Sequence, residues 1–278
     1  MKALVIQSDF GLDDGAVAAM YGVALSCDPA LQIYNLTHNI PPYNIWEGSY
    51  RLAQTIDYWP AGTVFVSVVD PGVGSERKSV VAKTATGHFI VTPDNGTLTH
   101  VQSIFGVTEV REIDETANRL RGSEASYTFH GRDVYAYTGA RLAAGVISYP
   151  EVGPALDPAR LALLPVTDPI VEADSITGTI DALDVRYGSL WTSISREQFL
   201  GMGFGFGDRV RMHVTHDGGV VHANHVTYVP SFASVEVGES LAYVNSLDRM
   251  AVAINRGSYA RAFNIGTGPA WAITLSRQ

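Results

Sequence analysis

Ala3-Leu4-Val5-Ile6-Gln7, then Ser8-Asp9-Phe10-Gly11-Leu12-Asp13-Asp14, then an apolar stretch over residues 15–26 is the passage that sets the architecture. The continuous apolar run reads as a buried strand, the polar turn with its glycine as a loop, and the remainder as a helix with Asp13 or Asp14 as N-cap. The same alternation continues outward. Residues 32–36 read as a strand and 45–58 as a helix ended by Trp59-Pro60. Residues 64–69 form an almost wholly β-branched strand, and 79–83 and 88–91 form two more. Helices are expected over 96–104 and 132–144. The pattern predicts an α/β fold, with an N-terminal, mostly parallel sheet flanked by helices on both faces.

The rhythm changes after the prolines at 154, 158, 165 and 169, which mark a linker. Beyond it, short strands over 178–184, 208–215, 220–228, 240–244 and 250–254 are separated by glycine turns. Gly201-Met202-Gly203-Phe204-Gly205-Phe206-Gly207 is a turn region; it lacks the Gly-Lys-Ser/Thr ending and following helix of a phosphate loop. Two domains are therefore expected, 1–165 of α/β type and 170–278 as a smaller all-β barrel or sandwich.

Composition narrows the class. The chain has 278 residues, 46% hydrophobic and 17% charged, which describes a globular protein with ample core. A net charge of −9 is unsuited to gripping a phosphate backbone, so nucleic acid is not an expected partner. Cys27 is the single cysteine, which leaves no internal disulfide and no cysteine-based metal cluster. Three lysines, Lys2, Lys78 and Lys83, leave little material for Schiff-base chemistry. No apolar run approaches the roughly 20 residues that span a bilayer. Strand-like sequence also begins at once, so the cytoplasm is the expected compartment.

One constellation carries a complete reaction kit. Val69-Asp70-Pro71-Gly72-Val73-Gly74-Ser75-Glu76-Arg77 and Thr128-Phe129-His130-Gly131-Arg132-Asp133 supply an acid, a permanent cation and an imidazole, the groups that hold and polarise one water molecule. Each has a plainer reading: Asp70 before Pro-Gly as a turn former, Arg77 as a surface charge, His130 as a satisfied polar residue. Asp9 lies at a strand tip, where open α/β sheets bind ligands, and a carboxylate there suits a ribose diol. Asp13 and Asp14 read as helix caps.

Two families are similar at these residues. The calcium-dependent nucleoside hydrolases share only an Asp-rich strand end like Ser8-Asp9-Phe10-Gly11-Leu12-Asp13-Asp14. The S-adenosylmethionine (SAM) hydroxide adenosyltransferases, in the superfamily of the fluorinase and chlorinase, resemble nearly the whole chain. That resemblance rests on Ser8-Asp9-Phe10-Gly11, His38-Asn39-Ile40-Pro41-Pro42-Tyr43, Val69 to Gly74, Pro93-Asp94-Asn95-Gly96, Thr128 to Asp133, Asp184 with Tyr187-Gly188, and Asn245-Ser246.

The resemblance implies cofactor-free and metal-free hydrolysis of SAM to adenosine and methionine. It assigns Asp70, Arg77 and His130 to the water or hydroxide, and leaves open which of Asp70 and His130 is the base. It implies that Asp9 takes the ribose diol, with Tyr43, Phe129 and Gly131 beside it. Asp184 would take the methionine ammonium, near Asn245 and Ser246, and Tyr187 and Phe232 would sandwich adenine. Ser189 stands where the fluorinase has an adenine-binding asparagine, and Leu247 where it has a carboxylate-binding arginine. The family also implies a homotrimer with the active site at the subunit interface. The fluorinase pattern departs at the reaction centre: tyrosine at Asp70, threonine at Val73, serine at Gly131 and no arginine at Arg77. A carboxylate at position 70 repels a halide in a dehydrated pocket, which points to water as nucleophile. The competing readings are a halide-dependent, chlorinase-like adenosyltransferase, a nucleoside hydrolase needing further aspartates around Asp9, and a nucleoside-binding module without catalysis.

Overall fold

A computed structural model of the chain describes residues 3–277. It divides into two compact units, the first ending at Leu164 and the second beginning at Pro165.

The first unit runs β1 (Ala3–Ser8), α1 (Ala16–Cys27), β2 (Gln32–Thr37), α2 (Ile45–Ile56) and β3 (Val64–Val68). It continues with β4 (Ser79–Thr84), β5 (Phe89–Pro93), α3 (Thr99–Phe105), β6 (Val107–Glu112), α4 (Tyr137–Ala144) and β7 (Ala155–Leu156). The sheet order is β2-β1-β3-β5-β4-β6-β7. The first four strands in that order are mutually parallel. β4 pairs antiparallel with β5 and β6, and β6 with β7. The reversal has a simple cause: the link from β4 to β5 is a tight turn, far too short for the crossover a parallel partner needs.

Side-chain alternation along the strands places helices on both faces. Leu4, Ile6, Val66 and Val68 join Met20 of α1 and Ala140 of α4 in one core. Val5 and Phe65 point the other way, to Leu52 and Ile56 of α2 and Val101 of α3. The fold class anticipated from sequence is therefore found, with corrections at element ends. The N-cap of α1 is Gly15, not Asp13 or Asp14; the Asp14 carboxylate instead accepts from Ala16 N at 2.8 Å. α2 stops at Ile56, because Tyr58 N and Trp59 N turn back onto Thr55 and Ile56 carbonyls in a tighter helical turn before Pro60. The helix expected over 132–144 begins as a π-helical turn, Gly131–Ala136, which passes directly into α4.

In the second unit, β8 (Ile170–Val171), β9 (Ser175–Leu183), β10 (Leu190–Ser195) and α5 (Arg196–Gly201) come first. β11 (Arg209–His216), β12 (Gly219–Tyr228), β13 (Ser240–Val244), β14 (Arg249–Ile254), α6 (Tyr259–Phe263) and β15 (Gly268–Ser276) follow. The strand order is β10-β14-β13-β12-β11-β15-β9-β8, and β9 also pairs with β10. That last pairing closes seven strands into a ring and leaves β8 outside it, so the unit is a barrel rather than a sandwich. Closure pairs both edges that an open sheet would expose. Ile176, Ile180, Leu190, Val210, Met212 and Ile273 fill its interior. No helix among the described residues is long and apolar enough to cross a membrane.

Close packing between α4 and the sheet depends on Gly139, where an added Cβ would lie 2.5 Å from Val66 Cγ2 and 3.3 Å from Leu4 Cδ1. Gly139→Ala is expected to cost about 1–3 kcal/mol of stability by overpacking. In chemical denaturation the double variant Gly139→Ala/Val66→Ala should lose less than the sum of the two single losses. Strict additivity would mean that this contact is not the cause.

Candidate active site

β1 and β3 are parallel neighbours in a register that sets Ser8 opposite Val68. Their carboxyl ends therefore deliver Asp9 and Asp70 to the same edge of the sheet, where strand order reverses around β1 and ligands characteristically bind.

After Asp70 the chain makes two successive turns, with Val73 N bonding Asp70 O and Ser75 N bonding Gly72 O. Arg77 then folds back onto Asp70. Its Nε donates to Asp70 Oδ1 at 2.8 Å and its Nη2 donates to Asp70 Oδ2, a fork on the carboxylate. Nη2 also reaches His130 Nδ1 at 3.1 Å, and Nη1 donates to Ser79 Oγ at 3.2 Å. The Arg77 and Asp70 side chains are only 10% and 5% exposed, so this is a buried ion pair. Tyr135 lies beneath: its hydroxyl is 3.2 Å from Ser79 Oγ, and its ring lies 5.7 Å from the guanidinium carbon.

The contact with His130 fixes the imidazole tautomer. A guanidinium has donors only, so Nδ1 accepts and the neutral ring carries its proton on Nε2. His130 Nε2 is buried and has no hydrogen-bond partner among the described residues. A buried unpaired donor of this kind is costly and calls for a partner from outside the protein, such as a water or a hydroxyl. Burial, aided by Arg77 and Arg119, holds the His130 pKa below its ordinary 6.5 against the opposing charges of Glu115 and Asp70. Burial pulls the Arg77 guanidinium down, but its hydrogen bonds to Asp70 and the nearby negative charges outweigh this and raise it overall. Burial first, then the Asp70 charge, pushes the Tyr135 phenol up, which keeps it a neutral donor.

Asp9 sits beside this cluster on β1. Its Oδ2 accepts from Tyr43 N at 2.9 Å, and Tyr43 is held at φ 68°, a left-handed conformation unusual for a bulky residue. Tyr43 is 73% exposed. Phe129 meets Phe10 edge-on at 5.8 Å. A Cβ on Gly131 would come within 3.0 Å of Phe10 Cε2 and 3.1 Å of Phe10 Cζ, so the ring of Phe10 occupies the space of any side chain at 131.

In the second unit, Tyr187 and Phe232 line one cavity of about 580 Å³ together with Arg186, Asn255, Arg256 and Ser258. Asp184 caps the turn that presents Tyr187, its Oδ1 accepting from Arg186 N at 3.0 Å and Tyr187 N at 3.1 Å. Ser189 is buried and bonds Asp184 N through its carbonyl; it does not line that cavity. Asn245 Oδ1 accepts from Leu247 N and Arg249 N, while its buried Nδ2 has no partner among the described residues. Ser246 is exposed beside it. Among the described residues no three His, Cys, Asp or Glu side chains form a group able to hold a metal ion.

The sequence pattern of the SAM hydroxide adenosyltransferase N-terminal domain matches residues 4–153, and that of the C-terminal domain matches residues 178–272. The chain belongs to the SAM hydroxide adenosyltransferase family. It is 34% identical to the (R)-S-adenosyl-L-methionine hydrolase of Salinispora tropica, over 96% of this chain and 95% of that protein. It is 28% identical to the fluorinase of Actinopolyspora mzabensis over 98% and 97%. The crystal structure of an uncharacterized conserved protein from Thermotoga maritima superposes with a TM-score of 0.88 at 31% identity, covering 99% of this chain and all of that one.

Sequence reading missed Ser79, Tyr135 and Phe10 as site residues. Ser79 opens β4 two residues after Arg77, a proximity in sequence that was a signal; Tyr135 reaches the site through the π-helical turn. Removing Arg77 leaves a buried carboxylate unpaired, at a cost of about 3–5 kcal/mol. Urea denaturation is expected to show Arg77→Ala as more destabilised than the Asp70→Ala/Arg77→Ala double variant. The reverse order would mean that the unpaired Asp70 carboxylate is not what destabilises Arg77→Ala.

Proposed function

We propose that the protein hydrolyses S-adenosylmethionine to adenosine and methionine. The observation that carries this reading is the Arg77-clamped Asp70 next to His130, whose buried Nε2–H has no partner among the described residues. The naming of the Salinispora tropica relative supports it. A sulfonium leaves readily without protonation, so the demand on the protein is to align a nucleophile behind C5′. Alignment of that kind is worth about 7–11 kcal/mol when geometry is near-attack.

The site divides the work between its groups. His130 Nε2–H donates to the attacking water oxygen; its Nδ1 lone pair is engaged by Arg77, so His130 acts as a donor and not as the base. Asp70 takes the water proton through a lone pair that Arg77 leaves unused, since a carboxylate offers about four acceptor sites. The C5′–O bond forms as the C5′–S bond breaks, the electron pair stays on sulfur as the methionine thioether, and the proton passes from Asp70 to solvent. Arg77 fixes both partners. Asp9 takes the ribose diol, with Tyr43, Phe129 and Gly131 around it. In the second unit Tyr187 and Phe232 hold adenine, while Asp184 takes the methionine ammonium near Asn245 and Ser246; residues 1–165 thus carry the ribose contacts and residues 170–278 the adenine and methionine contacts. A halide meets the Asp70 carboxylate as its obstacle.

The family's homotrimer completes the reading: residues 9–131 of one subunit and 184–246 of its neighbour form each site. Cytoplasmic SAM is the substrate pool this implies, in keeping with the free thiol of Cys27.

Purified protein given SAM should release adenosine and methionine, unaffected by chelator. A 5′-chloro product in chloride buffer would favour the halide reading, and free base released from a nucleoside without SAM turnover would sink the proposal. Asp70→Ala should abolish turnover yet still bind SAM. Because the lowered His130 pKa keeps the ring neutral into mild acid, the acid limb of kcat/KM should fall below pH 6.5. A limb above it would mean that the His130 pKa is not held down. Inactive Asp70→Ala and Tyr187→Ala proteins, once subunits exchange, should regain activity together if the site is shared; mixed trimers that stay inactive would refute the shared site.

A further inference from the structure

His38 is 3% exposed and Ser8 is fully buried, yet the two form a polar link at the tip of the sheet. His38 Nδ1 lies 2.7 Å from Ser8 Oγ, and His38 Nε2 lies 2.9 Å from Asn35 Oδ1, which also accepts from Tyr21 O–H. The polarity of the chain is self-consistent. Nε2–H donates to Asn35, so Nδ1 accepts the Ser8 hydroxyl proton, and Ser8 Oγ in turn accepts from Phe10 N at 3.3 Å. His38 acts a second time through its backbone: its carbonyl accepts from Gly11 N at 2.8 Å. One residue thus grips the chain on both sides of Asp9, at Ser8 through the ring and at Gly11 through the carbonyl.

The register of the sheet shows how this arises. β1 and β2 pair Ile6 with Asn35, then slip by one residue and pair Gln7 with Thr37. Without the slip Thr37 would lie level with Ser8; with it, His38 does. A Ser–His–Asn array is also the layout of a nucleophilic triad, but the Ser8 hydroxyl is sealed from solvent, so no substrate reaches it. Burial pushes the His38 pKa down to about 4, in keeping with a ring that stays neutral and keeps Nδ1 as an acceptor.

We infer that His38 is the positioning residue for Asp9, locking the Ser8–Gly11 loop so that the Asp9 carboxylate is presented to a ribose diol. The inference rests on the ribose role proposed for Asp9. Its test is the affinity for adenosine against 2′-deoxyadenosine, measured by calorimetry, together with KM and kcat for SAM. Wild type should prefer adenosine. His38→Ala should cut that preference by about tenfold and raise KM while kcat changes little, as expected for loss of an oriented charge-assisted contact. His38→Asn, whose amide replaces Nδ1 but not Nε2, should restore part of the preference. Ser8→Ala removes the same link with minimal change of volume and should reproduce the loss if His38→Ala does not fold. A folded His38→Ala or Ser8→Ala protein with undiminished preference overturns the inference. Wild type with no preference for the 2′-hydroxyl would instead remove the ribose role of Asp9 itself.

Discussion

A guanidinium fork on a carboxylate at the end of β3 is the constraint around which the first unit is arranged. Burying both charges is expensive, and their attraction offsets that cost only when the remaining donors and acceptors are also satisfied. The surroundings meet this condition. Ser79 takes one arm of Arg77, His130 another, and Tyr135 closes the floor. β4 must run antiparallel next to β5 for Ser79 to stand there, and α4 must begin as a π-helical turn for His130 and Tyr135 both to face inward. The topology and the chemistry are therefore coupled through one ion pair.

The strand tip next to it obeys the same logic with weaker forces. Asp9 is an exposed-edge carboxylate, bonded to the Tyr43 N–H while Tyr43 sits in a left-handed conformation. Strain in a loop survives only where neighbouring contacts over-determine it. Here those contacts are the Asp9 carboxylate on one side and the Asn44 cap of α2 on the other. Asp9 and Asp70, one residue out of step on adjacent parallel strands, differ accordingly: Asp70 is buried against a cation, whereas Asp9 is half-exposed and bonded to a backbone N–H.

Much of this was legible in the residues. β-branched runs and strand–turn–helix alternation gave the parallel core, and the glycine-spaced strands after residue 170 gave the all-β unit. β10 and β15 were not seen, because Leu190–Ser195 runs straight into a helix and Pro269 interrupts the start of Gly268–Ser276. Barrel closure likewise depends on β9 meeting β10, a pairing no local pattern records. At the site, Asp70, Arg77 and His130 were visible as residue types, whereas the tautomer of His130 was not. It follows from which atom Arg77 touches, a matter of angles between segments 53 residues apart. The grip of His38 on the Asp9 loop depends in the same way on a one-residue register slip.

The engagement of Arg77 also bears on what else the site can hold. A guanidinium has five N–H groups. Four contacts, to Asp70 twice, to Ser79 and to His130, draw on them. The cation therefore contributes positive potential while offering almost no free coordination. A loose anion drawn toward it would find the donor shell already occupied, and a neutral molecule content with the single donor of His130 would fit where an ion would not.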